Sequence, residues 1–417
     1  MELMPGYKQT EVGLIPEDWS TPCLGQLIHS VEYGSSAKSR PSGKIPVLRM
    51  GNLQDGSIDW RDLVFTNSEA EIKKYLLNPG DVLFNRTNTI DLVGKTAIYK
   101  GEYSAVFAGY LIRINENKLL LDSHFLNYVL NAEFSKKYSL KILSVAVGQA
   151  NINGQKLKTY SIPLPPTLAE QKAIAEALSD ADALIESLAL LLTKKRQTKQ
   201  GAMQELLTGQ RRLPGFSGGW EKKTVGEVAD VKTGPFGSSL HESDYVQSGT
   251  PIITVEHLGE FGVTYQNLPL VSEEDRIRLG SYSLNAGDIV FSRVGSVDRN
   301  ALIREEQEGW LFSGRLLRVR PNHGVVYSPY LSFQFNTERF KSSVLKVAVG
   351  QTMASLNTQV LKALYVDVPN IAEQTAIATI LSDMDDDIVN LESQLQKVRN
   401  LKQGLMQELL TGRIRLV

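Results

Sequence analysis

The stretch KQGAMQELLTG at residues 199–209 returns as KQGLMQELLTG at residues 402–412, an offset of 203 with one difference, Ala202 against Leu405. Chance does not produce that agreement in a 417-residue chain, so the molecule is a tandem duplication. Working back from this anchor, VAVGQ ends at Gln149 and Gln351, AEQ at Gln171 and Gln374, and LSD at Asp180 and Asp383. Upstream, NPGDVLFNR and NAGDIVFSR align through Asp81 and Asp288, and Trp19 aligns with Trp220. Each repeat therefore holds the same elements in the same order.

The anchor lies near the end of a long helix in each repeat. Thr167 before Glu170, and Asn370 before Glu373, have the spacing of capping boxes, in which a side-chain oxygen accepts a free backbone N–H and the acid reaches back to another. Gly209 and Gly412 suit the position just past a helix end. Between these marks Leu178, Ile185, Leu192 and Leu206 recur with a seven-residue beat, as do Leu381, Ile388, Leu395 and Leu409, with Ile377, Met384, Leu391, Val398 and Leu405 on an intervening row. That is the coiled-coil period, and about 40 residues at about 1.5 Å each give helices near 60 Å long. Each stripe's matching surface is the other stripe, so the expectation is an antiparallel intramolecular coiled coil with pseudo-two-fold symmetry. Lys199 and Lys402 interrupt the apolar row at equivalent places, as a weak point, a register signal or a docking site.

The segment before each helix is mixed. YLIRI from Tyr110, RLLRV from Arg315 and VLFNR from Val82 read as strands, whereas FLNYVLNAEFSKKY from Phe125 and YLSFQFNTERF from Tyr330 read as helices. The fold class is α+β: globular domains at 1–166 and 211–370, and helices at 167–210 and 371–417.

Composition narrows the function. A 42% hydrophobic, 22% charged chain is that of a globular protein, and the apolar run SLALLLT at 187–193 is far short of a membrane span. The polar first residues lack a signal-peptide core, which points to the cytoplasm. A single cysteine, Cys23, forms no internal disulfide and is expected as a buried structural thiol. A net charge of -1 requires any nucleic-acid surface to be local. Catalytic signatures are missing. VGKT at 93–96 has Thr89 where a phosphate-binding loop needs glycine, and His29, His124, His241, His257 and His323 never fall at metal-ligand spacing. The acidic run Asp383, Asp385, Asp386 and Asp387 reads as a solvated helix face.

Two α+β domains, each followed by a long helix opening near EQ with a GD strand motif upstream, resemble the specificity subunit of a type I restriction-modification system. NPGDVLFNR with NAGDIVFSR, the two VAVGQ segments, and IPLPPTLAEQKAIAEAL with VDVPNIAEQTAIATIL carry the resemblance, which covers essentially the whole chain. The second repeat departs slightly, having Pro369 and Asn370 where the first has the double proline Pro165 and Pro166. The resemblance implies two target-recognition domains that each read half of a bipartite site in double-stranded DNA. It also implies helices that space them and bind two methyltransferase (M) subunits, joined in complete systems by two restriction (R) subunits. The chain would be non-catalytic and without a cofactor of its own, S-adenosylmethionine, ATP and Mg belonging to the partners. An enzyme with fused methyltransferase or nuclease activity is the alternative, but an adenine-pocket motif such as NPPY is absent. A coiled-coil scaffold without a DNA role would not explain why the polar loops diverge while the strand core repeats.

Residues identical in both repeats cannot distinguish two half-sites, so Gly80, Asp81, Phe84 and their counterparts Gly287, Asp288, Phe291 are scaffold. Arg86 and Arg293, shared and at a strand end, suit a phosphate contact or an internal salt bridge equally. Loop residues that differ are candidates for base contacts: Lys38, Arg40, Asn88, Lys95, Asn151, Asn153 and Lys156 in the first domain, and Ser238, Ser239, His257, Arg299, Ser355 and Asn357 in the second. Near-identity of the helix ends marks Lys199, Gln204 and Glu205, with Lys402, Gln407 and Glu408, as candidate partner-docking residues.

Overall fold

The computed structural model describes residues 5–146, 148–235, 244–348 and 355–416. The chain folds as two compact units: Met1–Ala189 with Gln394–Val417, and Leu190–Ser393. Each unit thus joins one globular domain to the opening turns of the helix that follows it and the closing turns of the other long helix.

Both long helices form as the periodicity requires, over Leu168–Leu206 and Ile371–Leu409, 39 residues each. Gly209 and Gly412, at φ 71° and 67°, mark their ends. Leu178, Ile174 and Leu409 are buried in the core of the first unit with Trp19, Phe84 and Phe125. In the second, Leu206, Ile377 and Leu381 join Phe291, Phe335 and Phe340. The pairing is antiparallel inside each unit. In the second, Lys195 meets Asp387 at 2.7 Å and Lys199 meets Asp385, and in the first Lys402 meets Asp182 at 2.5 Å.

Each domain is built on a four-stranded antiparallel sheet of the same order. In the first unit it runs Thr96–Ile98, Val82–Asn85, Leu111–Glu116, Ile28–Tyr33; in the second, Asn300–Leu302, Ile289–Ser292, Leu316–Pro321, Ala229–Thr233. The registers agree: Ile112 lies between Phe84 and Tyr33, and Leu317 between Phe291 and Thr233. A second sheet adds a parallel pair in each unit, Val106 to Val47 and Leu311 to Ile252. Helices Ser123–Asn131 and Glu133–Ile142 follow in the first unit, and Ser328–Phe335 and Glu338–Ala348 in the second. The expected α+β class and long helices are borne out.

Each helix opening departs in one respect from the capping box. Thr167 and Asn370 do accept the backbone N–H of Glu170 and Glu373, at 3.2 and 2.9 Å. The acids, however, do not reach back. Glu170, 1% exposed, pairs with Arg415, and Glu373, fully buried, pairs with Arg212 at 2.6 and 2.7 Å. A buried carboxylate needs a cation, and these arginines, just beyond the terminating glycine, supply one and lie over Trp19 and Trp220 at 5.8 Å. The neighbouring glutamines tie helix to domain. Gln171 accepts from the Asp122 N–H and donates to the Leu120 carbonyl, while Gln374 accepts from Tyr327 N–H and donates to the Val325 and Pro369 carbonyls. The repeated AEQ is therefore the joint between helix and domain.

Cys23, expected to be buried, is exposed. The acidic run is solvated at Asp383, Asp386 and Asp387, but the side chain of Asp385 is only 15% exposed because it is the partner of Lys199. Among the described residues no helix is long and apolar enough to cross a membrane.

Candidate nucleic-acid interface

At one end of each four-stranded sheet the chain makes the same arrangement around the shared arginine. The second strand ends at Asn85 or Ser292, so Arg86 and Arg293 are the next residues out. Each is fixed through three groups. The Arg86 N–H donates to the Tyr110 carbonyl at 3.0 Å, its carbonyl accepts from the Ile152 N–H at 2.9 Å, and its guanidinium donates to the Gly109 carbonyl at 3.5 Å. In the second unit Arg293 N–H donates to the Arg315 carbonyl at 2.9 Å, its carbonyl accepts from Leu356 N–H at 2.8 Å, and its guanidinium donates to the Gly314 carbonyl at 3.3 Å. The end of the outer strand supplies a further contact, the Tyr33 ring 4.8 Å from the Arg86 guanidinium and the Thr233 hydroxyl 3.3 Å from Arg293. The Arg86 contacts are a ring and a carbonyl rather than an acid, so a clamp on the neighbouring turn describes its place better than a salt bridge.

Close backbone approach completes the frame. A Cβ on Gly34 would lie 2.3 Å from the Phe107 carbonyl oxygen, and one on Gly234 would lie 2.1 Å from that of Ser313. Only glycine lets the outer strand cross there.

Several candidate residues gather at this sheet end. Asn88 lies on the short strand Thr87–Asn88, which pairs with Gln149–Asn151, and Asn151 donates to the Thr87 hydroxyl at 2.7 Å. Ser355 bridges Val294, next to Arg293. Lys38 and Arg40 are exposed on the segment after the outer strand, and Arg299 is exposed across the strand turn. Lys95 is half-buried and donates to Gln54 at 2.8 Å, and Lys156 is held by the Ser144 hydroxyl at 2.7 Å and the Ile142 carbonyl. Ser238 and Ser239 lie outside the described residues.

The structure corrects one of these expectations and gives two others a structural role. His257 is 3% exposed, with Nδ1 against Thr254 and Nε2 3.1 Å from the Gln266 carbonyl oxygen. Both ring nitrogens serve its own loop, so none remains for a base. Asn153 and Asn357, taken as divergent, are equivalent N-caps that accept from Lys156 N–H at 2.9 Å and Val360 N–H at 2.8 Å. Their side-chain oxygens are thus committed to helix N–H groups.

Among the proposed docking residues, Lys199 and Lys402 are not surface groups. Their side chains are 14% and 17% exposed, paired with Asp385 and Asp182 and lying near the Phe261, Phe333 and Tyr128 rings. Asp182 also accepts from the Tyr128 hydroxyl at 2.8 Å. Since Asp182 and Asp385 stand at the repeat offset, both lysines form one repeated interhelical pin. Gln204, Glu205 and Gln407 are exposed, and Glu408 is half-buried beside Arg413 at 3.3 Å. Glu205 stands 3.4 Å from Arg211. Among the described residues no group of three His, Cys, Asp or Glu could hold a metal ion.

Two domains that share one sheet-end frame and differ in the residues on it define a modular protein built from a tandem repeat. The chain belongs to the type I restriction modification DNA specificity domain family, whose sequence profile matches residues 16–194 and again 217–399. It is 30% identical to the putative type I restriction enzyme MjaX specificity subunit of Methanocaldococcus jannaschii, over 98% of this chain and 96% of that protein. It is 24% identical to the EcoKI specificity subunit of Escherichia coli strain K12, over 96% and 90%. The fold resembles the S subunit of a type I restriction-modification system from M. genitalium, with a TM-score of 0.64 at 16% identity over 98% of both chains. A chain from a type I R-M system solved in work on complex assembly and conformational transition gives 0.54 at 16% identity, over 96% and 99%.

Proposed function

We propose that this chain is the DNA specificity subunit of a type I restriction-modification complex. Each globular domain reads one half of a bipartite site in double-stranded DNA, and the long helices hold two methyltransferase subunits. The observation that carries this reading is the double match of the family profile, once per repeat, coinciding with a sheet-end frame kept in both domains while its exposed residues differ. A shared frame suits a common geometry of approach to DNA, and differing residues suit two different half-sites.

The chain supplies recognition and no bond-making step. S-adenosylmethionine, ATP and Mg belong to partner subunits in this reading. Gln204 and Glu205, with Gln407 and Glu408, are the repeated positions that would meet two copies of one partner. Two restriction subunits complete the assembly, and the complex works in the cytoplasm, where its DNA substrate lies.

The test is reconstitution with the cognate methyltransferase, followed by binding to DNA over a range of salt. The expected result is sequence-selective binding whose affinity falls steeply with salt, in a particle whose mass holds two methyltransferase copies. Methylation by the purified chain alone, or binding without sequence preference, would contradict the proposal.

A further inference from the structure

The frame around Arg86 and Arg293 carries an exposed side chain at an equivalent place in each domain. Residues 108–111 and 313–316 form matching tight turns, closed by Leu111 N–H to the Ala108 carbonyl at 2.9 Å and Leu316 N–H to the Ser313 carbonyl at 3.0 Å. Gly109 and Tyr110 occupy the centre of the first turn, and Gly314 and Arg315 that of the second. The shared arginine fixes both central residues: its guanidinium holds the glycine carbonyl, and its backbone N–H holds the carbonyl of the residue that follows. The main chain of Tyr110 and Arg315 is thereby set in the same way in both domains, while their side chains differ in chemistry.

Those side chains are also available. Tyr110 is 52% exposed, and Arg315 is exposed with no ion pair or side-chain hydrogen bond among the described residues. The main chain of Arg315 is fixed by the frame while its guanidinium stays solvated and open to a ligand. On the reading of this chain as a DNA specificity subunit, we infer that Arg315 and Tyr110 are specificity-determining residues, one per half-site, held by Arg293 and Arg86 as positioning residues. Arg315 has the two parallel donors that match the O6 and N7 acceptors of guanine in the major groove. Tyr110 offers an aromatic edge suited to the methyl group of thymine. The half-site read by the second domain therefore contains a guanine whose recognition depends on Arg315.

The experiment uses the full chain in complex with its methyltransferase and reads the methylated motif together with binding to single-base variants of it. Arg315→Gln should lower discrimination at one guanine of the second half-site by about 10- to 100-fold, leaving the first half-site and the salt dependence almost unchanged. Tyr110→Ala should relax one position of the first half-site only. Arg293→Lys, which keeps the charge but loses the planar fork, should blur the same position as Arg315→Gln, a pattern that damage to folding alone would not give. Uniform weakening on every sequence, with the salt slope reduced by about one, would make Arg315 a phosphate contact and overturn the inference. An unchanged motif in a folded, active Arg315→Gln complex would overturn it as well. Failure of the wild-type complex to select any sequence would instead overturn the proposed function beneath it.

Discussion

Replacing Lys199 with methionine tests the view that the polar break in the apolar row is a buried pin. Lys199 and Asp385 have side chains 14% and 15% exposed, so Lys199→Met leaves a carboxylate largely out of water without its cation. Removing one partner of such a pair costs about 3–5 kcal/mol when burial is complete, and the residual exposure here favours about 3 kcal/mol. Proximity to the Phe261 and Phe333 rings, 5.4 and 5.8 Å from Nζ, accounts for about 0.5 kcal/mol of it. Replacing both partners, as Lys199→Met with Asp385→Leu, removes the stranded charge and should return stability to within about 1 kcal/mol of the wild type. The pH dependence has a definite sign. Burial pushes the Asp385 carboxyl above its ordinary value of 3.8, against the lowering effect of Lys199. A group whose pKa is raised on folding favours the folded state below its unfolded pKa and loses that contribution as pH rises through the folded value. Without Lys199 the raised value rises further, so the single variant should regain stability as pH falls toward the ordinary carboxylate range. Urea unfolding of the four members of the double-mutant cycle measures both effects. A single variant within about 0.5 kcal/mol of wild type, or a double variant as unstable as the sum of the singles, would refute the reasoning.

Lys402→Met should cost less than Lys199→Met in the same assay, because Asp182 keeps the Tyr128 hydroxyl as a donor. Arg212→Met strands the fully buried Glu373 and should destabilise the chain by about 3 kcal/mol in urea unfolding, against less than about 1 kcal/mol for the double variant with Glu373→Met. Gly234→Ala forces a carbon against the Ser313 carbonyl and should cost about 1–3 kcal/mol, with weakened DNA binding at one half-site as the functional readout. Asn357→Ala, which removes an N-cap, should cost about 1 kcal/mol while leaving the methylated sequence unchanged.

Strong periodicity was legible in the chain. The seven-residue beat and the terminating glycines located both 39-residue helices, because such patterns depend on spacing within one element. Long-range partners were not. Glu170 and Glu373 have the spacing of a capping box, yet their charges are met by Arg415 and Arg212, which stand a whole repeat or most of one away. The signal lay in the chain: both arginines follow the helix-ending glycine at the repeat offset of 203. Loops were harder because the offset drifts between motifs, which hid the equivalence of Asn153 with Asn357 and made two N-caps look like divergent contacts. Tyr110 and Arg315 open matching strand segments in the sequence, but the turns that Arg86 and Arg293 hold around them rest on long-range hydrogen bonds that no local pattern shows. Polarity in a loop does not reveal whether the loop closes over its own side chain, as it does at His257.

The most direct test of the central claim is genome-wide mapping of methylated adenines in a host expressing the methyltransferase with either the native chain or one whose residues 1–166 come from another family member. The account predicts a bipartite motif in the native case and, after the exchange, a motif with one half-site replaced and the other retained. A change in both half-sites, or a native motif that is continuous, would contradict it.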